Sequence, residues 1–460
     1  MLYNQLIQSS GISQHIHITQ LLKSIPSDIF SQYTHYYKNK KSGNSLIKYI
    51  KKNWDMLDSD VREKLGYARS LVLQNEKLIG FSPIKTGSFS MEEFGDEETR
   101  ALMKAHNMYF VEMVEGTMIN VCYNGTEWVV STRSILGASN KYFKHSTKNF
   151  KQMFQETIDF LEFSLDELDT SYSYSFVMKH PDNRIINNVE TPELYIVGLY
   201  KITENDDEVN DVVDAETTQS FDKYFNGDYC VQNIDFYQHY YGTRLVELGI
   251  KFPRRYHSCD KHYYEGTFQH DDDVMSVCYE YHNVEQMPCG VYFTNGLVYY
   301  KLRDRKYEQY KLLKGNQPKL QFQFLNLWKN DKLHTYMQTF PEHSPKFMEF
   351  SEQIGFFGRI LYQNYISCFC KKEAHLKSYP FEMRVHMYHL HKMYKNVIVP
   401  NIETTGIRSI QPYHVYEYLK TVPTAKLMYF LNYSHRPEVI ERRQKEFLEA
   451  QQNASTDEEQ

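Results

Sequence analysis

The order of apolar and polar residues changes character along the chain. In "ITQLLKSIPSDIFSQYTHYY" (18–37) apolar positions recur at helical spacing, and Ser27 with Asp28 after Pro26 predicts a capped second helix. From "ARSLVLQNEKLIGFSPIKT" (68–86) the period becomes two, with Asn75-Glu76 between the runs, which predicts a hairpin. Strand-like runs recur in "YFVEMV", "MINVCYNGTEWVVSTRS", "YSFVMKHP", "LYIVGLYKI" and "CGVYFTNGLVYYKLR", while "STKNFKQMFQETIDFLEF" (146–163) inserts a helix among them. Beyond about Gly315 the strand pattern stops. Phe347, Phe350, Ile354, Phe357, Leu361 and Tyr365 then share one helical face, and "PYHVYEYLKTVPTAKLMYFLNY" continues in that mode.

Strands that alternate with helices in this way predict an α+β protein whose antiparallel sheets carry helices on their faces. The expected domains are a helical lead-in (1–55), a sheet-rich domain (56–320), a helical C-terminal domain (321–440) and a charged tail (441–460). With 58 acidic against 52 basic residues the net charge is -6. No overall basic field draws the chain to nucleic acid, so such binding requires a local patch. Two acidic stretches, 91–100 and 204–216, read as solvated loops. Seven scattered cysteines, an odd number, fit a reducing compartment. The first residues lack a basic region followed by an apolar core, and no run of about 18 apolar residues occurs, so a soluble intracellular protein is expected.

Five pieces in order then carry a resemblance: the arginine-led "ARSLVLQNEKLIGFSPIKT"; "VEMVEGTMI" with "WVVSTRSILGA"; "YSFVMKHPDNRIINN" with "LYIVGLYKI"; "PCGVYFTNGLVYYKLR"; and "RDRKYEQYKLLKGNQPKL". Together, from about Arg69 to Leu320, they resemble the covalent nucleotidyltransferase superfamily. Within it they look like the T-even phage RNA ligase family and the RNA-ligase-like proteins of large cytoplasmic DNA viruses, those of African swine fever virus among them. The resemblance implies a nucleotidyltransferase fold, ATP and Mg as cofactors, and RNA ends as substrate. In such ligases a lysine amine attacks the α-phosphate of ATP, and catalysis otherwise rests on positioning and charge neutralisation.

Laid on this sequence, the family pattern divides. Glu115-Gly116 match the Asp-Gly that follows the nucleophile, which places Met113 in the lysine slot. Val177 and Cys289 fall where the family has carboxylates. The basic set survives: Arg69, Lys85, Arg133, Lys301 and Arg303 fall where the family surrounds the nucleotide, and Asn183-Arg184 keep a strand-turn motif. Guanidinium and ammonium groups hold phosphate without any covalent step. Lys104 or Lys85 could replace Met113 as nucleophile; otherwise Met113 is a strand residue facing an apolar pocket.

From Tyr299 to Leu320 basic residues alternate with tyrosines. Arg305, Lys306, Lys311 and Lys314 form an expected RNA-binding run, with tyrosine faces for unpaired bases. His386, His389 and His391 stand at near-helical spacing without a visible fourth ligand, so packing is preferred to zinc. Cys368 with Cys370, and Asp271 to Asp273, carry no metal site either. The expectation is a viral RNA-ligase-like protein with degenerate catalytic motifs, in the virion and infected-cell cytoplasm, with RNA and the viral transcription machinery as partners. The alternatives are an active ligase with a non-standard lysine, a non-catalytic protein that binds RNA ends or nucleotides, and a scaffold that keeps the fold.

Overall fold

The computed structural model describes residues 15–88, 109–142, 146–204, 221, 224–256, 289–294, 299–436, 438–441 and 445. Lys104, the Asp271–Asp273 triplet, both acidic stretches apart from Glu204, and the tail beyond residue 445 lie outside them. The chain divides into two compact units, Met1–Leu312 and Leu313–Gln460. No helix among the described residues is long and apolar enough to cross a membrane.

In chain order the strands of the first unit are β1 (His15–His17), β2 (Thr34–Lys38), β3 (Asn44–Tyr49), β4 (Leu71–Gln74), β5 (Lys77–Gly80), β6 (Gly87–Ser88), β7 (Tyr109–Glu112) and β8 (Thr117–Tyr123). They continue with β9 (Trp128–Thr132), β10 (Tyr172–Lys179), β11 (Glu193–Glu204), β12 (Tyr229–Asn233), β13 (Arg255–Tyr256), β14 (Gly290–Thr294) and β15 (Tyr299–Arg303). A six-stranded sheet has the order β1-β12-β11-β10-β8-β9, a five-stranded sheet β13-β7-β14-β15-β6, and a four-stranded sheet β2-β3-β4-β5. All pairs are antiparallel except β15 with β6. The expected α+β class, helices with antiparallel sheets, is the architecture present.

The lead-in is not simply helical. Its two short helices, Ile18–Lys23 and Ser27–Tyr33, are followed by β2 and β3, and β1 precedes them on the edge of the six-stranded sheet. Pro26, not Ser27, holds the N-cap position of the second helix, and no side chain caps it. Proline cannot donate, and its fixed φ suits a helix entry. The hairpin at Asn75-Glu76 forms as expected. Both residues have positive φ (49° and 65°), the backbone that a two-residue turn needs to match strand twist.

Strand β10, "YSYSFVMK", shows how the sequence sorts the layers. Tyr174, Phe176 and Met178 enter the core under helices Phe150–Phe160 and Tyr240–Glu247, with Phe154, Ile158 and Leu245. The alternate residues are smaller and face the other layer. The Ser173 hydroxyl donates to the Phe81 carbonyl (3.2 Å) and accepts from the Phe81 N–H (3.0 Å), and the Ser175 hydroxyl donates to Asn120 Oδ1 (2.9 Å). Side chains of period two therefore place bulk toward the helices and short hydroxyls where another layer comes close. Leu46, Val72, Cys122 and Val129 fill a small core beside them. Helix Phe150–Phe160 starts with a reciprocal Asn149–Gln152 capping box, which satisfies backbone donors at its first turn.

The second unit is helical, as the loss of strand pattern predicts. Its longest helix, Ser344–Tyr365, buries Phe347, Ile354, Phe357, Leu361 and Tyr365. Helices Phe381–Met393 and Pro412–Thr421 add Met387, Leu390, Val415 and Leu419. His386 lies in this core with about 1% of its surface exposed. Its Nδ1 meets the Tyr418 hydroxyl at 2.8 Å, and its ring packs edge-on against Phe357 and Phe430. Burial, with smaller contributions from His389 and Lys426, lowers its pKa to about 4.

A histidine whose folded pKa lies below its unfolded value stabilises above about pH 6.5 and loses that contribution as pH falls toward 4. We expect the second unit to lose roughly 2 kcal/mol between pH 7.5 and pH 5 from His386. Amide exchange in helix Ser344–Tyr365 reads this directly. His386→Phe should flatten the acid-side slope, and equal slopes in the two proteins would refute the assignment.

Candidate functional site

The chain passes from the five-stranded to the six-stranded sheet through four residues, Met113 to Gly116, between β7 and β8. Met113 extends the β7 ladder by one bond, its N–H donating to the Gly290 carbonyl at 3.0 Å. Gly116 makes the crossing possible. A Cβ there would stand 2.5 Å from both the Met178 carbonyl oxygen and Val177 Cγ1. Val177 thus occupies the space over the glycine, and at 7% exposure it is an apolar wall, with no carboxylate in its slot.

Glu115 is the anchor of this crossing. Its carboxylate accepts from the backbone N–H of Ile186 and Asn187 and from the Asn187 side chain (2.5 Å), and the Cys289 thiol donates to it at 3.8 Å. A carboxylate with so many donors is committed to the fold. Asn183 and Arg184 belong to the same structure. Asn183 Nδ2 donates to Thr117 Oγ1 at 2.8 Å and Arg184 Nε to the Ile186 carbonyl at 3.0 Å, so the motif shapes the loop that Glu115 holds.

Cys289 is buried beside Glu115 and hydrogen-bonds with Tyr307. Burial first, then the Glu115 charge, pushes its thiol well above the usual range. A thiol held protonated is a packing group, not a nucleophile. Slots 113, 177 and 289 thus hold a thioether, a valine wall and a protonated thiol.

A set of basic groups belongs to the same unit. Arg69 donates to the carbonyls of Pro83 (3.2 Å) and Ile84 (2.9 Å), and its Nε is buried without a hydrogen-bond partner. Burial lowers its pKa, offset by Tyr49 and Tyr292 and reinforced by Arg133. Arg133 lies over the Tyr49 ring at 5.6 Å and donates to its hydroxyl at 3.4 Å. The Lys85 ammonium sits 5.1 Å from the Trp54 ring centre. Burial lowers the Lys85 pKa, and Lys51, Arg62 and Arg69 lower it further. Lys301 is lowered by burial and then by Arg303, Lys51, Lys85 and Lys311.

The band therefore runs Arg133, Arg69, Lys85, Lys51, Lys301, Arg303, Lys311, each residue close enough to feel the next. Arg303 pairs with Glu308 at 3.3 Å. Among the described residues Lys51, Lys85, Lys301 and Lys311 form no ion pair. Neighbouring cations repel one another; Asp55 at Lys85 and Glu115 and Glu308 at Lys311 offset this, and an added anion relieves the repulsion.

Lys51 was not among the expected site residues. The Lys51-Lys52 pair, one residue beyond β3, is its one sequence signal. The expected RNA-binding run is divided. Lys306 and Lys311 are exposed, whereas Lys314 falls in the second unit, buried, with its ammonium 4.9 Å from the Phe340 ring centre. Tyr300 and Tyr307 are also buried and offer no face to a base. These three are corrections to the sequence expectation, because strand and helix periodicity turns them inward. The side chain of Arg305 lies outside the described set.

One possible metal cluster exists among the described residues. Glu156, His180 and Asp182 place ligand atoms within 4.8 Å of one another. The Lys148 ammonium already lies 2.7 Å from each carboxylate. His180 Nδ1 accepts from the Asp182 N–H, which leaves Nε2 to donate to Glu156 at 3.1 Å. With both ring nitrogens and both carboxylates engaged, the cluster is an ion-pair network. His386, His389 and His391 enter ring packing with Tyr418 and Phe369, and the cluster found among the described residues does not include them.

No protein-family model matches the chain. Over 103 residues, 21% of the chain, the sequence is 29% identical to an RNA ligase of Rhodothermus phage RM378. That stretch is 23% of the phage protein, so the chain spans less than a quarter of this relative's length. Among solved structures, an archaeal ATP-dependent RNA ligase superposes with a TM-score of 0.33 at 11% identity, over 67% of this chain and 66% of that one. A protein from Aquifex aeolicus with the provisional description of ATP-dependent DNA ligase gives 0.33 at 9% identity, over 84% and 80%. Over that stretch of 103 residues the chain is similar, at low identity, to a phage RNA ligase.

Proposed function

We propose that the first unit is an RNA-ligase-like binding module, which holds the phosphates of a nucleotide such as ATP, or of an RNA 5′ end, in its cationic band. The observation that carries this reading is the run Arg69, Lys85, Lys51, Lys301, Arg303, Lys311, where four lysines have no ion-pair partner among the described residues. Met113, Val177 and Cys289 remove the nucleophile and carboxylates, while the groups that hold phosphate remain. ATP fits the band by charge. Mg fits less well, because Glu115 is consumed by the 186–187 backbone and the neighbouring slots are apolar. The viral setting, with the virion, infected-cell cytoplasm and transcription machinery, rests on the resemblance and belongs to the same proposal.

Binding should be sensitive to salt and to the phosphate. Lys301→Ala with Arg303→Ala is expected to weaken 5′-phosphorylated single-stranded RNA at least tenfold. The salt slope should fall by about 0.7 for each cation removed. Fluorescence anisotropy across a salt series checks both, and unchanged affinity and slope would remove the band from the function. Glu115→Ala should instead cost about 1–3 kcal/mol of stability by orphaning the 186–187 donors, as read by chemical denaturation.

A second reading, covalent transfer through a non-standard lysine, is favoured by one observation. Burial and neighbouring cations lower the pKa of Lys85, Lys301 and Lys311, which raises the fraction of free amine. In that reaction the Nζ lone pair bonds to the α-phosphorus, the bond to pyrophosphate breaks, and the nitrogen loses a proton to solvent. With α-labelled ATP and magnesium or manganese, the binding reading expects no label on the denatured protein. A label that disappears in Lys85→Arg, Lys301→Arg or Lys311→Arg would establish the covalent reading in its place.

A further inference from the structure

The second unit carries a feature unrelated to the cationic band. Two of its helices end in wide turns, Ile366–Lys371 after helix Ser344–Tyr365 and Tyr394–Ile398 after helix Phe381–Met393, both with π-type hydrogen bonding. Such turns are uncommon and recur at functional sites. Here they face each other through aromatic rings. Phe369 and His391 stack at 4.1 Å with 13° between their planes, and His391 and Tyr394 follow at 6.1 Å and 22°. Tyr365, fully buried, forms the floor 5.4 Å from Phe369. The three upper rings are half-exposed.

Charge around this stack is the reverse of the chain's. Between Arg359 and Pro400 the sequence has seven Lys or Arg and only two Glu, in a protein whose net charge is -6. Glu382 is buried, and Glu373 is paired with Lys371. Lys371, Lys372, Lys392 and Lys395 are exposed and lie within three residues of a stacked ring. His391 itself remains an uncharged flat ring, since burial and Lys395 lower its pKa and its Nδ1 is buried without a partner.

Half-exposed parallel rings bordered by ammonium groups match the repeat of unpaired nucleic acid, base faces with a phosphate between them. We infer that the Phe369–His391–Tyr394 stack and its lysines form a binding site for single-stranded RNA, separate from the band of the first unit. Acidic peptides would use the lysines but not parallel ring faces. An anionic membrane would use the lysines together with exposed Val397 and Val399, and serves below as the competing outcome.

The experiment uses the full chain carrying Lys301→Ala and Arg303→Ala, with a labelled 5′-hydroxyl single-stranded oligoribonucleotide, so that the first-unit band contributes little. Salt-sensitive binding is expected. Tyr394→Ala should weaken it about five- to a hundred-fold, the range of one lost base stack, and Tyr394→Trp should restore it. Lys371→Glu with Lys395→Glu should weaken it and flatten the salt dependence, with circular dichroism unchanged. Failure of the band-silenced protein to bind would overturn this inference and leave the first-unit reading intact. So would equal affinity in Tyr394→Ala and Lys371→Glu/Lys395→Glu, a loss in Tyr394→Trp as large as in Tyr394→Ala, or binding to phosphatidylserine vesicles but not to the oligonucleotide.

Discussion

The first unit depends on how the chain passes from one sheet to the next in four residues. Gly116 has β10 backbone and Val177 where its side chain would be, and Glu115 draws the 186–187 loop and Cys289 onto the crossing. Even a half-buried carboxylate is costly unless its lone pairs are filled, and here they are filled by the 186–187 backbone, the Asn187 side chain and the Cys289 thiol. The result is a rigid seam: the ends of β7, β10 and β14 are held together by one side chain.

The cationic band differs from several lysines of the unit that are neutralised: Lys148 by Glu156 and Asp182, Lys77 by Glu204, Lys251 and Lys179 by Glu193. Along Lys85, Lys51, Lys301 and Lys311 the described residues supply no such partner, and partial burial adds to the repulsion at Lys85 and Lys301. Placing like charges together destabilises the fold. Local conflicts of this kind concentrate where binding occurs, because the ligand resolves them.

Sequence pattern was a good guide wherever local periodicity and burial agree. The Asn75-Glu76 hairpin, the capped helix after Asn149 and the apolar face of Ser344–Tyr365 are each dictated by short-range chemistry. It was a poor guide where a segment becomes a strand only by pairing with distant residues. Strand β1 is only three residues long, too short for its alternation to stand out, and β2 follows directly on a helix. The basic set was half legible. Arg69, Lys85, Arg133, Lys301, Arg303 and Lys311 feel their neighbours' charge along the band, but Lys51 was hidden in the lead-in, and Lys314, Tyr300 and Tyr307 turn inward. A run of basic and aromatic letters does not state which of them face water.

The pairing of β1 with β12 has a consequence in time. Thr19 accepts the Tyr229 N–H across 210 residues of sequence, and Lys23 pairs with Asp228 nearby. During synthesis the segment around His15–His17 has no neighbour until residues 229–233 emerge, so this edge of the six-stranded sheet closes late. Non-local pairing of this kind slows folding. A nascent chain halted before residue 229 would leave Ile16, Ile18 and Leu22 uncovered on the side that β12 later fills, a surface for chaperones to recognise.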